Sequence, residues 1–168
     1  LKYINTNSKS VFIVDSDGGN TENQKRKVIA EICEFDKDLK KDEFSNKIVL
    51  TQYCMLECYT FEKELLKHAM PDETLNAKKE EFINANTEEI NKCLAERNQK
   101  KLDDLDIVSL DDKFEYIRKY GFTKKLIKAF RRAVGGSGFK RIEELNKEEL
   151  ELYCESLIQD LKNAFNII

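Results

Sequence analysis

The sequence contains one proline, one histidine, six glycines and no tryptophan among its 168 residues. Proline and glycine interrupt regular structure most often, so their scarcity favours a helix-rich protein with few irregular loops. The single histidine, His68, lies at the lysine-rich end of a predicted helix and is expected at the surface. No serine or aspartate motif accompanies it, which argues against a histidine-based catalytic triad.

Long apolar segments are also missing. No apolar run approaches the roughly 20 residues that a membrane-spanning helix needs, and no charged leader precedes an apolar segment as in a secretory signal peptide. We therefore expect a cytoplasmic protein with no membrane contact. An odd number of cysteines scattered through helical patterns indicates reduced thiols. Cys54 and Cys58 lie four residues apart, but no second pair at zinc-binding spacing accompanies them. We expect all five cysteines to be small core residues: Cys33, Cys54, Cys58, Cys93 and Cys154.

Charges of neither sign dominate the chain, and the net charge is −3 at pH 7. This balance argues against a protein that is basic all over but allows a local basic patch. The length fits one domain, or a small core with one extension, and we divide it into a core at 1–70 and a helical extension at 71–168. The opening residues indicate the end of a helix and a turn. We therefore expect that one strand and most of one helix precede Leu1.

The stretch around which the chain is organised is an apolar run, Val11–Val14, followed by Asp15-Ser-Asp17-Gly-Gly. It predicts a buried strand that ends in a turn. Residues two apart on a strand share a side, so Asp15 and Asp17 are expected together at the strand's carboxyl end, where ligands bind in open α/β sheets. Paired carboxylates suit Mg²⁺ or Mn²⁺, and Gly18 would let a bulky ligand approach. A plain turn after a core strand is the alternative.

The segment after this turn predicts a β-α-β unit. Apolar residues at helical spacing indicate a helix over 21–35, and Ile48–Thr51 indicates a second, parallel strand. A further helix is expected to begin near Met55, with Glu57 in its first turn and close to the aspartate pair. The alternative is that Glu57 only complements the positive end of its own helix, an effect of about 0.3–1 kcal/mol.

The remainder predicts helices: one long helix or a broken pair over 72–101, an acidic connector at 103–112, a short helix ending at Gly121, and a final helix opened by Asn146. Connector aspartates are either helix caps or further metal ligands. Between Thr123, a predicted cap, and a glycine-rich break at 135–138 lies the only strongly basic segment, which is either a solvated face or a phosphate-contacting patch. Its cations, with two that follow the break, are Lys124, Lys125, Lys128, Arg131, Arg132, Lys140 and Arg141.

Together, the Asp15-Ser-Asp17-Gly strand end, the helix and the second strand followed by Leu56-Glu57-Cys58-Tyr-Thr resemble a Toprim domain. The resemblance covers roughly residues 1–66 and is greatest to the domains of OLD-family nucleases and their relatives in bacterial anti-phage systems. Those domains typically carry a segment of the Ile-Glu-Asn-Tyr-Leu type after the second strand. Here Cys58 stands where asparagine is usual.

The resemblance implies an α/β fold, with a Toprim-like parallel sheet flanked by helices and a helical C-terminal extension. It implies a metal-dependent nuclease in which Asp15 and Asp17 hold one divalent ion and Glu57 contributes to the same or a second ion. A C-terminal lysine often assists, and Lys124 and Lys125 are the candidates here. The family's upstream glutamate has no match in this sequence, which agrees with the expected missing strand. The implied partners are DNA or RNA and an ATPase domain or subunit, and a homo-oligomer is compatible with them.

Two other functions compete with this one. Haloacid-dehalogenase-type phosphatases also begin with a strand that ends in Asp-x-Asp-Gly, but Gly19 stands where threonine or valine is usual, and only Asp111-Asp112 could serve as their later acidic pair. The other alternative is a degenerate Toprim-like domain that scaffolds a partner. The substitution at Cys58 and the absent upstream glutamate both allow it.

Overall fold

The computed structural model describes residues 12–18, 21–35, 48–62, 65–66, 70–107, 109–135 and 144–164. The described part is mostly helical, with two short strands near the start. In chain order its elements are β1 (Phe12–Val14), α1 (Thr21–Phe35), β2 (Ile48–Leu50), a 3₁₀ helix (Leu56–Phe61), α2 (Asp72–Glu96), a 3₁₀ turn (Leu102–Asp104), α3 (Leu110–Tyr120), α4 (Lys124–Ala133), α5 (Lys147–Tyr153) and α6 (Glu155–Ala164).

The two strands pair in parallel, in the register Phe12 to Ile48 and Val14 to Leu50. Helix α1 connects them and packs on β2. The predicted order of strand, helix and parallel strand is therefore confirmed, with the bounds of α1 as expected. Among the described residues the sheet has only these two strands.

Strand β2 is buried on both faces, whereas β1 is not. Ile48 belongs to a small cluster with Ile29 of α1, while Val49 belongs to the larger core, and α6 packs on β2. Burial on both faces explains the continuous apolar run Ile-Val-Leu, as in parallel sheets generally. In β1, by contrast, Ile13 is 41% exposed. The prediction that this strand is buried was wrong at Ile13, since no described element covers that residue.

The larger core is centred on five phenylalanines, each at most 2% exposed. Their rings come from five different segments and meet at centroid distances of 4.8–6.1 Å. They are Phe61, Phe82, Phe114, Phe122 and Phe130. The same core contains Val49, Tyr53 and Leu66, so it joins residues on both sides of position 70. The division of the chain at that position stays a prediction.

Local capping signals set the starts of helices α3, α4 and α5. The side chains of Thr123 and Asn146 accept hydrogen bonds from backbone N–H groups of α4 and α5, as predicted, and Asn146 forms a capping box with Glu149. The long segment after Pro71 is one helix, α2, and not a broken pair. The predicted final helix is divided at Cys154, which has φ −120° and ψ 31°. The backbone N–H of Cys154 still bonds to Leu150 and its carbonyl accepts from Ile158, so the apolar spacing continues through the kink.

No helix in the described part of the chain is long and apolar enough to cross a membrane.

Candidate metal and phosphate site

The carboxyl ends of the two strands are held together by hydrogen bonds. Thr51 N donates to Val14 O (3.0 Å), and Ser16 N donates to Oγ1 of Thr51 (3.0 Å). The Ser16 hydroxyl donates to Tyr53 O (2.8 Å), and Asp17 N donates to Cys54 O (3.0 Å). Residues 15–17 therefore run beside residues 51–54, at the edge of the sheet where parallel strands present ligand sites.

Asp15 and Asp17 do not lie on a shared strand face, although the sequence predicted that they would. Strand β1 ends at Val14, so strand alternation does not extend to either aspartate. Asp17 lies in a turn with a left-handed φ of +52° and is exposed, whereas Asp15 is half-buried. The two carboxylates are neighbours because of this turn and not because they share a strand face.

Gly18 serves the protein's own packing. It has φ +64°, and a Cβ built on it would lie 2.9 Å from Tyr120 Cα and 3.1 Å from Lys119 O. The close approach that requires glycine here is therefore to the last turn of α3. That Gly18 also lets a ligand approach stays a prediction. Only glycine tolerates both this φ and this contact.

Asp15 is the centre of the site. Its Oδ1 accepts a 2.7 Å hydrogen bond from the backbone N–H of Leu56, at the start of the 3₁₀ helix. Burial raises the pKa of Asp15 most, and the charges of Glu57 and Asp17 raise it further. The Leu56 hydrogen bond and the positive charge of Lys124 act in the opposite direction. The structure therefore places the predicted residues Asp17, Glu57 and Lys124 close enough to Asp15 to interact with it electrostatically.

The helix that carries Glu57 differs in type from the one predicted. Residues Leu56–Phe61 form a 3₁₀ helix, and the expected α-helix from Met55 is absent from this described segment. Glu57 nevertheless lies in its first turn and is half-buried. Four consecutive residues that begin at Cys58 are all buried, which a regular amphipathic α-helix on a core surface would not allow: Cys58, Tyr59, Thr60 and Phe61.

The two candidate lysines, Lys124 and Lys125, have different interaction partners. Lys124 interacts with Asp15, whereas Nζ of Lys125 lies 3.3 Å from a carboxylate oxygen of Glu89 on α2. The outer face of α4 continues with exposed Lys128 and Arg132 and half-buried Arg131. Of this basic face, Lys124 is the residue whose charge acts on the pKa of Asp15. Lys140, Arg141 and His68 lie outside the described residues, as does most of the glycine-rich break.

The donor set fits a hard divalent cation. Among the described residues, no three histidine, cysteine, aspartate or glutamate side chains are arranged to hold a metal ion. However, Mg²⁺ in proteins usually takes one or two carboxylates and completes its shell with waters and substrate phosphates. Crowding of negative charge around Asp15 is the electrostatic condition that a bound cation relieves. A pair of carboxylates, Asp15 with Asp17 or Asp15 with Glu57, is the number that such an ion takes from a protein.

The other candidate metal ligands have structural contacts. Asp111 forms a 2.8 Å ion pair with the buried Nζ of Lys79, and Asp112 bonds to Ser109 at the start of α3. The residue that caps α3 is Ser109, so the predicted capping role was wrong at Asp111 and Asp112. Their contacts nevertheless occupy the acidic pair that a phosphatase would need. The cysteines lie where a core role places them, with Cys33 half-buried and the other four buried.

One buried charge was not singled out from the sequence. Arg118 of α3 is 4% exposed and contacts the segment that carries Glu57. A signal for it existed, because Arg118 follows Phe114 and Ile117 at the spacing of one helix face. Its charge made a solvated position the simpler expectation.

Comparison with protein-family models, curated proteins and solved structures found no match to this chain. The resemblance to Toprim domains therefore stays a prediction.

Proposed function

We propose that the chain is a divalent-metal-dependent nuclease of the Toprim type, which cleaves phosphodiester bonds of DNA or RNA. One observation carries this proposal: half-buried Asp15 lies at the carboxyl edge of two parallel strands. The charges of Glu57 and Asp17 raise its pKa, and that of Lys124 lowers it. Acidic side chains with one lysine at such an edge suit a metal and a phosphate better than an uncharged ligand.

The bound ion supplies Lewis acidity and lowers the pKa of a coordinated water, as in metal-assisted hydrolysis generally. Asp15, Asp17 and Glu57 would hold it. The Leu56 N–H orients Asp15 through its hydrogen bond to Oδ1. Lys124, whose charge acts on the pKa of Asp15, is suited to bind a phosphate oxygen near the scissile bond.

The basic face of α4 supports a polymeric substrate. The helix has no acidic residue, and Lys128 and Arg132 are exposed on it. Lys124, Lys128 and Arg132 follow one another at intervals of four residues, about 6 Å along a helix. A row of cations at this spacing is suited to contact successive phosphates of a polynucleotide. A phosphomonoester has a single phosphate group and would not contact the whole row.

The biological setting follows from the resemblance alone. We propose that the nuclease acts in bacterial anti-phage defence and is coupled to an ATPase domain or subunit, as related Toprim proteins are. A homo-oligomer is compatible with this arrangement.

The test is a cleavage assay with plasmid, single-stranded DNA and tRNA, beside a small phosphomonoester, each with Mg²⁺ or Mn²⁺. Cleavage of a polynucleotide that is lost in Asp15→Ala and kept in Asp106→Ala, an exposed aspartate outside the site, is expected. Turnover of the phosphomonoester alone would replace the nuclease by a phosphatase. Absence of both metal binding and activity would favour a degenerate scaffold.

The polynucleotide interface has a separate test that needs no catalysis. Binding of a fluorescent oligonucleotide to Asp15→Asn is measured against salt concentration, with and without Lys128→Glu and Arg132→Glu. Each lost phosphate contact should reduce the slope of log K against log salt by about 0.7–0.9. The matched control reverses Lys92 and Lys147, which are exposed on other helices. An equal change in both double variants would mean that net charge alone governs binding.

A further inference from the structure

Arg118 connects helix α3 to the segment that carries Glu57. Its Nε donates to Cys58 O at 3.1 Å, and one terminal nitrogen pairs with Glu62 at the end of the 3₁₀ helix. The other pairs with Glu115 at 2.8 Å. The guanidinium also lies over the ring of Tyr53, with its carbon 4.0 Å from the ring centroid.

The backbone of Arg118 holds the other end of the same segment. Its carbonyl oxygen accepts from Cys54 N at 3.2 Å and from the Cys54 thiol at 3.2 Å. Tyr53 completes the connection, because its hydroxyl donates to the same Glu62 oxygen that Arg118 contacts. One residue therefore bonds to the segment at Cys54, at Cys58 and at Glu62, on both sides of Leu56 and Glu57.

We infer that Arg118 is a positioning residue for the Asp15 site. By holding residues 54–62, it fixes the Leu56 N–H against Asp15 and keeps Glu57 beside that carboxylate. Only the expected effect on metal binding rests on the proposed function. The hydrogen-bond geometry is independent of it.

The side chain must be arginine for geometric reasons. Three nitrogens of one planar group serve three acceptors at fixed angles, and the flat face covers an aromatic ring. A lysine ammonium is a single point of charge and cannot span Cys58, Glu62 and Glu115 together. Arg118→Lys should therefore keep the buried positive charge while losing the hold on the segment.

Lys79 provides a matched control. It is also a buried cation, at 2% exposure, with a carboxylate partner and an aromatic ring beside it. However, its partners Asp111 and Phe114 lie on α3, and none of the contacts described for it reaches residues 53–62. Lys79→Met thus removes a comparable buried ion pair without touching the segment that carries Glu57.

The experiment compares Arg118→Lys, Glu62→Gln and Lys79→Met in the full chain. Hydrogen exchange of the Leu56 amide is measured by NMR, and Mn²⁺ affinity by calorimetry. We expect Arg118→Lys to lower Leu56 protection at least about 10-fold more than Lys79→Met, and to weaken Mn²⁺ binding by a similar factor. Glu62→Gln keeps the hydrogen bond from Arg118 to Cys58 O and should lower both quantities by a smaller factor. This variant also tests the inference if Arg118→Lys does not fold.

The outcomes separate the inference from the proposed function. Equal Leu56 protection in the Arg118, Glu62 and Lys79 variants would overturn the positioning role, whatever the metal affinity. Selective loss of protection in a protein that binds no Mn²⁺ would support the positioning role and count against the metal-dependent nuclease.

Discussion

The backbone N–H of Leu56 donates a 2.7 Å hydrogen bond to Oδ1 of Asp15, across 41 residues of chain. Asp15 follows the first strand and Leu56 follows the second, so this bond joins the two chain segments that leave the sheet. It also orients the carboxylate, because one of the two oxygens accepts from the protein backbone. The electrostatic behaviour of Asp15 follows from this arrangement.

Asp15→Asn is expected to stabilise the metal-free protein at neutral pH. The pKa of Asp15 is raised above 3.8, chiefly by burial, so the folded state binds the proton more tightly than the unfolded state and stability falls as pH rises through the folded-state pKa. Asparagine removes the charge and keeps an oxygen that can accept from Leu56. Thermal melts at neutral and acidic pH should show a higher Tm for the variant at pH 7 and a smaller difference in acid.

The proposed metal site predicts that Mn²⁺ raises the Tm of the wild-type protein, since a ligand that binds only the folded state raises Tm. The same variant should show no such rise. Asp106→Asn is the control, because Asp106 is exposed and distant in sequence from the site. A lower Tm for Asp15→Asn than for wild type at pH 7 without metal would contradict the role assigned to burial.

Lys124→Ala and Lys125→Ala should differ, although the two residues are adjacent. Lys124 acts on Asp15, whereas Lys125 pairs with Glu89. Loss of a charged group that stabilises the transition state commonly slows kcat on the order of 100-fold, and we expect this for Lys124→Ala in the polynucleotide cleavage assay. Lys125→Ala loses an exposed ion pair worth at most about 1 kcal/mol and should cleave normally. Equal losses would remove Lys124 from the site.

Gly18→Ala should destabilise the protein more than Gly135→Ala. Both glycines have left-handed φ values, +64° and +71°, so both variants carry a backbone cost of about 1–2 kcal/mol. Only at Gly18 does the new methyl group meet backbone atoms of Tyr120 and Lys119, whereas nothing lies within 4 Å at Gly135. Overpacking adds about 1–3 kcal/mol. Urea unfolding measures the difference, and equal midpoints would show that residue 18 does not contact α3.

Phe130→Ala should lower the free energy of unfolding by about 3–5 kcal/mol, as expected for a fully buried aromatic ring. Its ring meets Phe61, Phe82 and Phe114, so the variant weakens contacts between the strand-end segment and the helices together. Leu152→Ala is the control, since Leu152 is 69% exposed, and it should stay within about 0.5 kcal/mol of wild type. Separate transitions for the sheet and the helices would show that the shared core does not couple them.

The helices and strands were largely predictable because their signals are local. The cap at Thr123 and the buried positions Leu126, Ile127, Phe130 and Val134 were all expected, and all are confirmed. The bounds of α1 and the parallel pairing of the strands were also expected. Hydrogen bonds within one helix turn, and the repeat that places apolar residues on one face, depend on neighbours only a few residues away.

Predictions failed where distant contacts decide the structure. Apolar spacing could not show the kink at Cys154, because the apolar residues before and after it pack against the same core. It could not show that the segment after β2 is a 3₁₀ helix, because four consecutive residues of that segment find burial against helices that come later in the chain.

The sequence by itself determined which residues are candidates for chemistry and, for the most part, which segments become helices or strands, because residue type and short-range spacing are contained in it. Only the tertiary structure decided how those residues meet. Contacts across dozens of residues place Gly18 against Tyr120, assign Lys124 to Asp15 and Lys125 to Glu89, and bury Arg118 behind the segment that carries Glu57. Such contacts depend on the mutual packing of whole elements, which no local pattern encodes.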